Sequence, residues 1–265
     1  MISLNDKVAV ITGGSQGLGE GIAKALASAG ATTIISHLNS ESDRQKAVMV
    51  VSDIQSAGGQ AITLPMDVTD QDSVQQFTQA CLQQYPVIDI LVNNAGVFQN
   101  HLGAEATLLD FDLCYNVNVK GVWTVTRALV SSLAKKNGGK IINIASVAGR
   151  TGNESNAYCA SKAAVISLTQ SLARELGPDN INVNAICPGL IWTEAWEKAE
   201  GLISRTDDQG AINQRKAFSA TIELMPLKRP QTIEDVGNAV TFFASSLAAN
   251  VTGQALNVDG GLFMN

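Results

Sequence analysis

Residues 7–19 read KVAVITGGSQGLG. An apolar run rich in valine and isoleucine ends at Thr12 and passes directly into a glycine turn. Gly13, Gly17 and Gly19 follow the spacing G-x-x-x-G-x-G, and residues 17–29 then carry apolar side chains at helical intervals. Glycine permits positive φ and lets backbone N–H groups approach a ligand closely. A helix that starts there presents unpaired donors and the positive end of its dipole to a pyrophosphate. The spacing departs from the commoner G-x-G-x-x-G. The position of the turn, directly after a first strand, therefore carries the dinucleotide reading.

Working outward, short apolar runs alternate with amphipathic stretches along the rest of the chain. Strands are expected at 7–12, 32–36, 61–65, 88–93, 140–146, 181–187 and 254–259, each bounded by Gly, Pro, Asn or Asp. Helical patterns fall near 17–29, 41–57, 71–85, 110–136, 155–176 and 232–246. Strands rich in Val and Ile without strict alternation suit a parallel sheet covered on both faces. Alternation of this kind predicts an α/β fold, a Rossmann-like doubly wound parallel sheet of about seven strands, in one domain over 1–265. One stretch breaks the rhythm. Residues 190–228 contain no convincing strand, and so long an insertion in a compact domain is usually functional. It is expected to act as a lid over a substrate, with Trp192 and Trp196 supplying an apolar underside.

Bulk properties narrow the function. The 265-residue chain carries a formal charge of −6, which argues against a nucleic-acid surface and against an anionic membrane surface. No run approaches eighteen consecutive apolar residues. The N-terminal MISLNDKVAVITGG enters a strand almost at once, so no secretory leader is expected. Cys81, Cys114, Cys159 and Cys187 are scattered without C-x-x-C pairing. That pattern fits free thiols in a reducing cytoplasm rather than a disulfide framework or a metal site.

Far downstream lies YCASK, with Tyr158 and Lys162 four residues apart and Ser146 twelve residues before the tyrosine. Residues four apart share a helix face. A free phenol, with pKa about 10, is a poor base at neutral pH. A cation about 4 Å away, at an effective dielectric near 20, favours the phenolate by roughly 4 kcal/mol, or about three pKa units. The spacing therefore predicts that Lys162 lowers the Tyr158 pKa into the range useful for acid/base chemistry. Charge that develops on a carbonyl oxygen as hydride arrives would be stabilised by donors from Ser146 and Tyr158.

TGGSQGLG, NNAG at Asn93 to Gly96, Ser146, YCASK, CPG at Cys187 to Gly189 and VDGG at Val258 to Gly261 together resemble the short-chain dehydrogenase/reductase family, in the family's order and over nearly the whole chain. The resemblance implies a strand order of 3-2-1-4-5-6-7 and a nicotinamide cofactor. It implies that Tyr158 is the general acid/base, that Lys162 lowers its pKa and holds the nicotinamide ribose, and that Ser146 bonds the reacting oxygen. Asn118, in YNVNVKGV, would keep a proton-relay water beside the lysine; the neighbouring Asn116 is out of phase for that role. Gly13, Ser15, Gln16, Gly17, Leu18 and Gly19 would form the phosphate turn. Asn94, Ala95 and Gly96 would line the adenosine side, with Asp67 and Val68 at the adenine. Pro188, Gly189, Ile191 and Thr193 would hold the carboxamide. The family also pairs the helices near 110–136 and 155–176 across a two-fold axis, which implies a homotetramer.

The choice of cofactor turns on charge. NAD-preferring folds place an acid after the second strand to bind the ribose 2′-OH, whereas this chain reads IISHLNSES, with no acid before Glu41. Ser36, His37, Asn39 and Ser40 could donate to a 2′-phosphate. Gln16 stands where a basic residue would help NADP, and no arginine follows the strand until Arg44. The balance leans to NADP over NAD. At the opposite end, Gln99, His101, Asn153 and Glu154 fall on loops at the carboxyl ends of the fourth and fifth strands, the edge where open α/β sheets bind ligands. These polar residues favour a small polar alcohol or ketone: a polyol, sugar or hydroxyketone. The alternatives are a 3-oxoacyl thioester reductase, against which the acidic charge counts because an acidic carrier needs a basic patch, and a non-catalytic dinucleotide sensor. A sensor needs no joint presence of Ser146, Tyr158, Lys162 and Asn118.

Overall fold

The computed structural model describes residues 2–99, 105–133, 138–152, 154–191 and 218–264. Seven strands form one parallel sheet: β1 (Val8–Ile11), β2 (Thr32–His37), β3 (Gln60–Pro65), β4 (Ile90–Asn93), β5 (Lys140–Ile144), β6 (Asn182–Pro188) and β7 (Ala255–Val258), in the order β3-β2-β1-β4-β5-β6-β7. Every adjacent pair is parallel. The expected architecture and strand order are both present.

Period-two alternation sends successive strand residues to opposite faces, and both faces are apolar here. Ala9 and Ile11 of β1, Ile90 and Val92 of β4, and Ile142 and Ile144 of β5 pack on one side. There they meet α1 (Gly17–Ser28), α2 (Glu41–Ser56) and α8 (Ile233–Ala244). Val10, Leu91 and Ile141 point the other way, against α3 (Gln71–Gln84), α5 (Val122–Leu133) and α7 (Asn156–Leu176). A short helix, α6 (Ala148–Thr151), follows β5. Helix ends carry the expected chemistry: Ser40 caps α2, and Thr232 and Asp235 form a capping box on α8.

One expected helix is interrupted. The pattern at 110–136 resolves into α4 (Leu108–Tyr115), a π-helical turn at Asn116–Gly121, and α5. Residues 134–136 lie outside the described residues. A π turn slips the side-chain register and commonly marks a functional position; here it carries Asn118.

Strand order reverses between β1 and β4, so the loops after these strands diverge and open a crevice at their carboxyl ends. The turn after β1, residues 94–96 after β4, Ser146 after β5 and Pro188 at the end of β6 all lie on that edge. Of the expected lid at 190–228, residues 192–217 fall outside the described residues. Its far end is anchored: residues 218–224 are helical, Met225 is buried, and Met225 and Pro226 pack on Gly260 and Gly261.

Candidate active site

Tyr158 and Lys162 occupy the first two turns of α7, and the Lys162 ammonium stands 5.7 Å from the centroid of the Tyr158 ring. Lys162 is 5% exposed and its Nζ donates to the Ile144 carbonyl at 2.8 Å, which ties the cation to the end of β5. Ser146, two residues beyond that strand, is buried. Its hydroxyl accepts from the Ala148 N–H at 3.1 Å and hydrogen bonds to the Tyr158 phenol. Phe98 packs edge-on against the Tyr158 ring at 4.7 Å between centroids.

The π turn delivers Asn118 to the same place. Its Oδ1 accepts from the Val97 N–H at 2.8 Å, and its Nδ2 donates to the Val97 carbonyl and to Ser161 Oγ, each at 3.0 Å. The Ser161 hydroxyl donates in turn to the Tyr158 carbonyl. Asn116 instead accepts from Lys120 on the exposed side. A Cβ built on Gly96 would lie 3.3 Å from Asn118 Oδ1 and 3.5 Å from Lys162 Nζ. Three chain segments thus converge on one point.

The electrostatics reverse one expectation. Burial pushes the Tyr158 phenol up to about 12; the hydrogen bond to Ser146 acts the other way, and Lys162 is not among the causes. Lys162 is itself pushed down to about 8 by burial. Sequence spacing supplied the neighbouring charge, but desolvation disfavours both charged forms, and at this site it outweighs the attraction. Glu154 adds to the rise through its charge, and its half-buried carboxyl is itself raised by burial. The Cys159 thiol, raised by burial and accepting from the Glu154 N–H at 3.3 Å, stays protonated at neutral pH.

At the glycine turn, Gly17 has φ +56° and opens α1, whose N-cap, Gln16, makes no side-chain capping bond. A Cβ at Gly19 would meet the Gly13 carbonyl at 2.3 Å, so only glycine lets the helix start this close to the turn. Ser15 is buried and Leu18 packs on the core.

Comparison with known proteins gives the family. A family model described as enoyl-(acyl carrier protein) reductase matches residues 13–263. A 3-oxoacyl-(acyl-carrier-protein) reductase of Synechocystis sp. is 35% identical, with all of both chains covered. Galactitol 2-dehydrogenase of Agrobacterium fabrum is also 35% identical over 99% of each chain. Among solved structures, a protein described as a short-chain alcohol dehydrogenase from Sinorhizobium meliloti 1021 superposes with a TM-score of 0.86 at 30% identity. That match covers 98% of this chain and 97% of the other.

The chain belongs to the short-chain dehydrogenase/reductase family. It is an oxidoreductase acting on alcohol and ketone groups, and the family implies a nicotinamide cofactor. The residues present fit one. The uncapped start of α1 supplies backbone donors for a pyrophosphate, and Gly96 leaves free the space beside Lys162 that a Cβ would fill.

Within this short-chain dehydrogenase/reductase, several predicted cofactor residues have a structural task. The Asn94 Nδ2 donates to the Thr12 and Gly13 carbonyls at 2.9 and 3.0 Å, locking the glycine turn to β4. Thr12, which spacing did not single out, accepts from the Asn94 and Ala95 N–H groups at 2.9 and 2.8 Å. His37 is the last residue of β2 rather than a loop residue; it is buried, with Nδ1 against the Leu38 carbonyl at 2.8 Å. Asn39 is exposed beyond it. The Asp67 carboxylate accepts from the N–H and hydroxyl of Thr69, and Val68 is buried. Pro188 ends β6, the Gly189 N–H donates to Val258 and to Gln231 Oε1, and Ile191 bridges to Gln231. Gln231 and Ser161 carried no signal in the sequence, since their partners are 42 and 43 residues away. Thr193, Trp192, Trp196, His101 and Asn153 lie outside the described residues.

Proposed function

We propose that this protein interconverts a small polar alcohol and its ketone with NADP, with Ser146, Tyr158, Lys162 and Asn118 as the working residues. The observation that carries the reading is that Lys162 and Asn118 both border the space beside Gly96, while the Lys162 ammonium stands 5.7 Å from the Tyr158 ring and Ser146 hydrogen bonds to its phenol. When bound, the nicotinamide supplies or takes up the hydride. In the reductive direction the Tyr158 phenol, protonated at neutral pH, donates its proton to the oxygen on which charge collects. Ser146 holds that oxygen by its hydroxyl. Lys162, held by the Ile144 carbonyl, and Asn118, held by Val97, keep a cation and a fixed amide behind the phenol. Gly13, Ser15, Gly17 and Gly19 take the pyrophosphate, and Pro188, Gly189 and Ile191 border the nicotinamide end.

The polar substrate is supported by Glu154, a half-buried carboxyl whose charge acts on the phenol, and by the likeness to galactitol 2-dehydrogenase. A 3-oxoacyl thioester is the second reading, favoured by the likeness to 3-oxoacyl-(acyl-carrier-protein) reductases. Against it, Arg127 and Arg229 are paired with Glu175 and Asp235, which leaves less free positive charge for an acidic carrier. Free cysteines at 81, 114, 159 and 187 support a cytoplasmic setting, and no helix among the described residues is long and apolar enough to cross a membrane.

Tyr158→Phe removes the proton donor and little packing. Turnover on a panel of polyols, hydroxyketones and 3-oxoacyl thioesters is expected to fall at least a hundredfold in the variant, with cofactor affinity within a few-fold of wild type. A variant that keeps a tenth of wild-type kcat removes Tyr158 from its role. Preferred turnover of the thioesters by the wild-type protein selects the second reading.

A further inference from the structure

Gln16, in the glycine turn, and Lys46, on the second turn of α2, are thirty residues apart in sequence. In the fold the Lys46 ammonium donates to Gln16 Oε1 at 2.6 Å. This bond bridges the gap between the N-cap of α1 and the helix that follows β2. The end of β2 lies beneath the same gap, because the Gly13 N–H donates to Ser36 Oγ at 3.1 Å and the Gly14 N–H to the Ser36 carbonyl at 3.0 Å. The adenosine ribose of a dinucleotide sits between these elements.

The other charges nearby are already matched. Arg44 is forked onto Glu41 at 2.8–3.1 Å. Lys24 lies between Glu20 at 2.7 Å and Asp53 at 2.8 Å. Asp43 accepts from the Ser40 hydroxyl at the α2 cap. The neutral candidates for a phosphate are partly committed as well: Ser36 Oγ to Gly13, His37 Nδ1 to the Leu38 carbonyl, and Ser40 Oγ to the cap. Lys46 makes no ion pair among the described residues. An ammonium has three donors, so two remain after the bond to Gln16.

We infer that Lys46, held in place by Gln16, is the cation that recognises the ribose 2′-phosphate of NADP, in place of a basic residue in the glycine turn or at the end of β2. The inference rests on the NADP reading above. Gln16 is a positioning residue: it places another residue's charge over the turn without carrying one. A lysine binds phosphate as a point charge with charge-assisted hydrogen bonds. A 2′-hydroxyl offers no such charge, so the effect falls on NADPH and spares NADH.

The test is fluorescence titration of NADPH and NADH with wild type, Lys46→Gln, Lys46→Arg and Gln16→Ala, each first checked for unchanged circular dichroism and thermal midpoint. Wild type is expected to bind NADPH more tightly. Lys46→Gln should weaken NADPH about tenfold, the scale of one charge-assisted bond, while NADH stays within twofold. Lys46→Arg should retain the preference, and Gln16→Ala should lose about threefold for NADPH alone. If wild type prefers NADPH and Lys46→Gln leaves the ratio of the two Kd values within twofold, the assignment of Lys46 fails while the NADP reading stands. That includes the case in which both cofactors weaken together. A wild type that prefers NADH overturns the NADP reading and the role of Lys46 with it.

Discussion

At the residue scale, the pair Tyr158 and Lys162 is held by opposing forces. With Lys162 at about 8 against an ordinary 10.5, the unfolded chain binds more protons than the folded one between those values. Stability therefore rises with pH across that window, and below pH 8 the buried cation costs about 3 kcal/mol by linkage. Lys162→Met is expected to leave the thermal midpoint of the ligand-free protein equal to wild type or higher while kcat falls at least a hundredfold. Scanning fluorimetry at pH 7 checks the first part; a drop of several degrees would mean that the bond to the Ile144 carbonyl outweighs the desolvation cost. The same values set a pH profile. Reduction uses the protonated phenol, abundant at neutral pH, so kcat/KM for reduction should be level up to about pH 8 and decline above it as Lys162 loses its charge. A reductive profile that instead climbs between pH 8 and 10 would contradict this assignment of acid and cation.

At the element scale, a buried polar ladder fastens the sheet beneath the site. Asn93 of β4 donates to Asn143 Oδ1 of β5 at 2.9 Å and to Thr126 Oγ1 of α5 at 3.1 Å, and Asn143 Nδ2 donates to Thr169 Oγ1 of α7 at 2.9 Å. All four residues are buried, and the ladder joins β4 to β5 and both strands to helices that frame the crevice. Asn143→Ala leaves the Asn93 amide short of an acceptor and is expected to cost about 2–3 kcal/mol, the penalty of stranding buried polar groups plus the lost bonds. Thr232→Ala, which removes the exposed α8 cap, is expected to cost about 1 kcal/mol. Urea unfolding midpoints compare them, and equal losses would mean the ladder does no more than a surface cap.

At the scale of the whole molecule, the helices that frame the site also carry apolar surface facing outward. On α4 and α5, Leu108 is 84% exposed, Leu109 77% and Trp123 51%, with Phe111 and Leu113 also exposed. A monomer seldom leaves several large apolar side chains on one pair of helices in water, and closed symmetry is the usual way to cover them. The homotetramer proposed here would bury this face. Leu109→Glu combined with Trp123→Glu is expected to dissociate it, as read by light scattering coupled to gel filtration. A wild-type protein that stays monomeric and active at micromolar concentration would rule the assembly out.

The sequence by itself determined the sheet and, through the family resemblance, its order, and it singled out the four residues proposed to work at the site. Those features depend on local pattern: valine- and isoleucine-rich runs, a glycine turn at a strand end, and two side chains one helical turn apart. Only the tertiary structure decided what depends on distant partners and on water. The helix expected at 110–136 takes a π turn at Asn116–Gly121, where Asn118 is bonded to Val97 and Ser161, neither of them near it in sequence. Asn94 became a clamp on the glycine turn because Thr12, eighty-two residues earlier, lies beneath it. The direction of the Tyr158 shift reversed because four-residue spacing reports a neighbouring charge but says nothing of how much solvent surrounds it. Lys46 met Gln16 only when parallel pairing of β1 with β2 brought their following helices side by side.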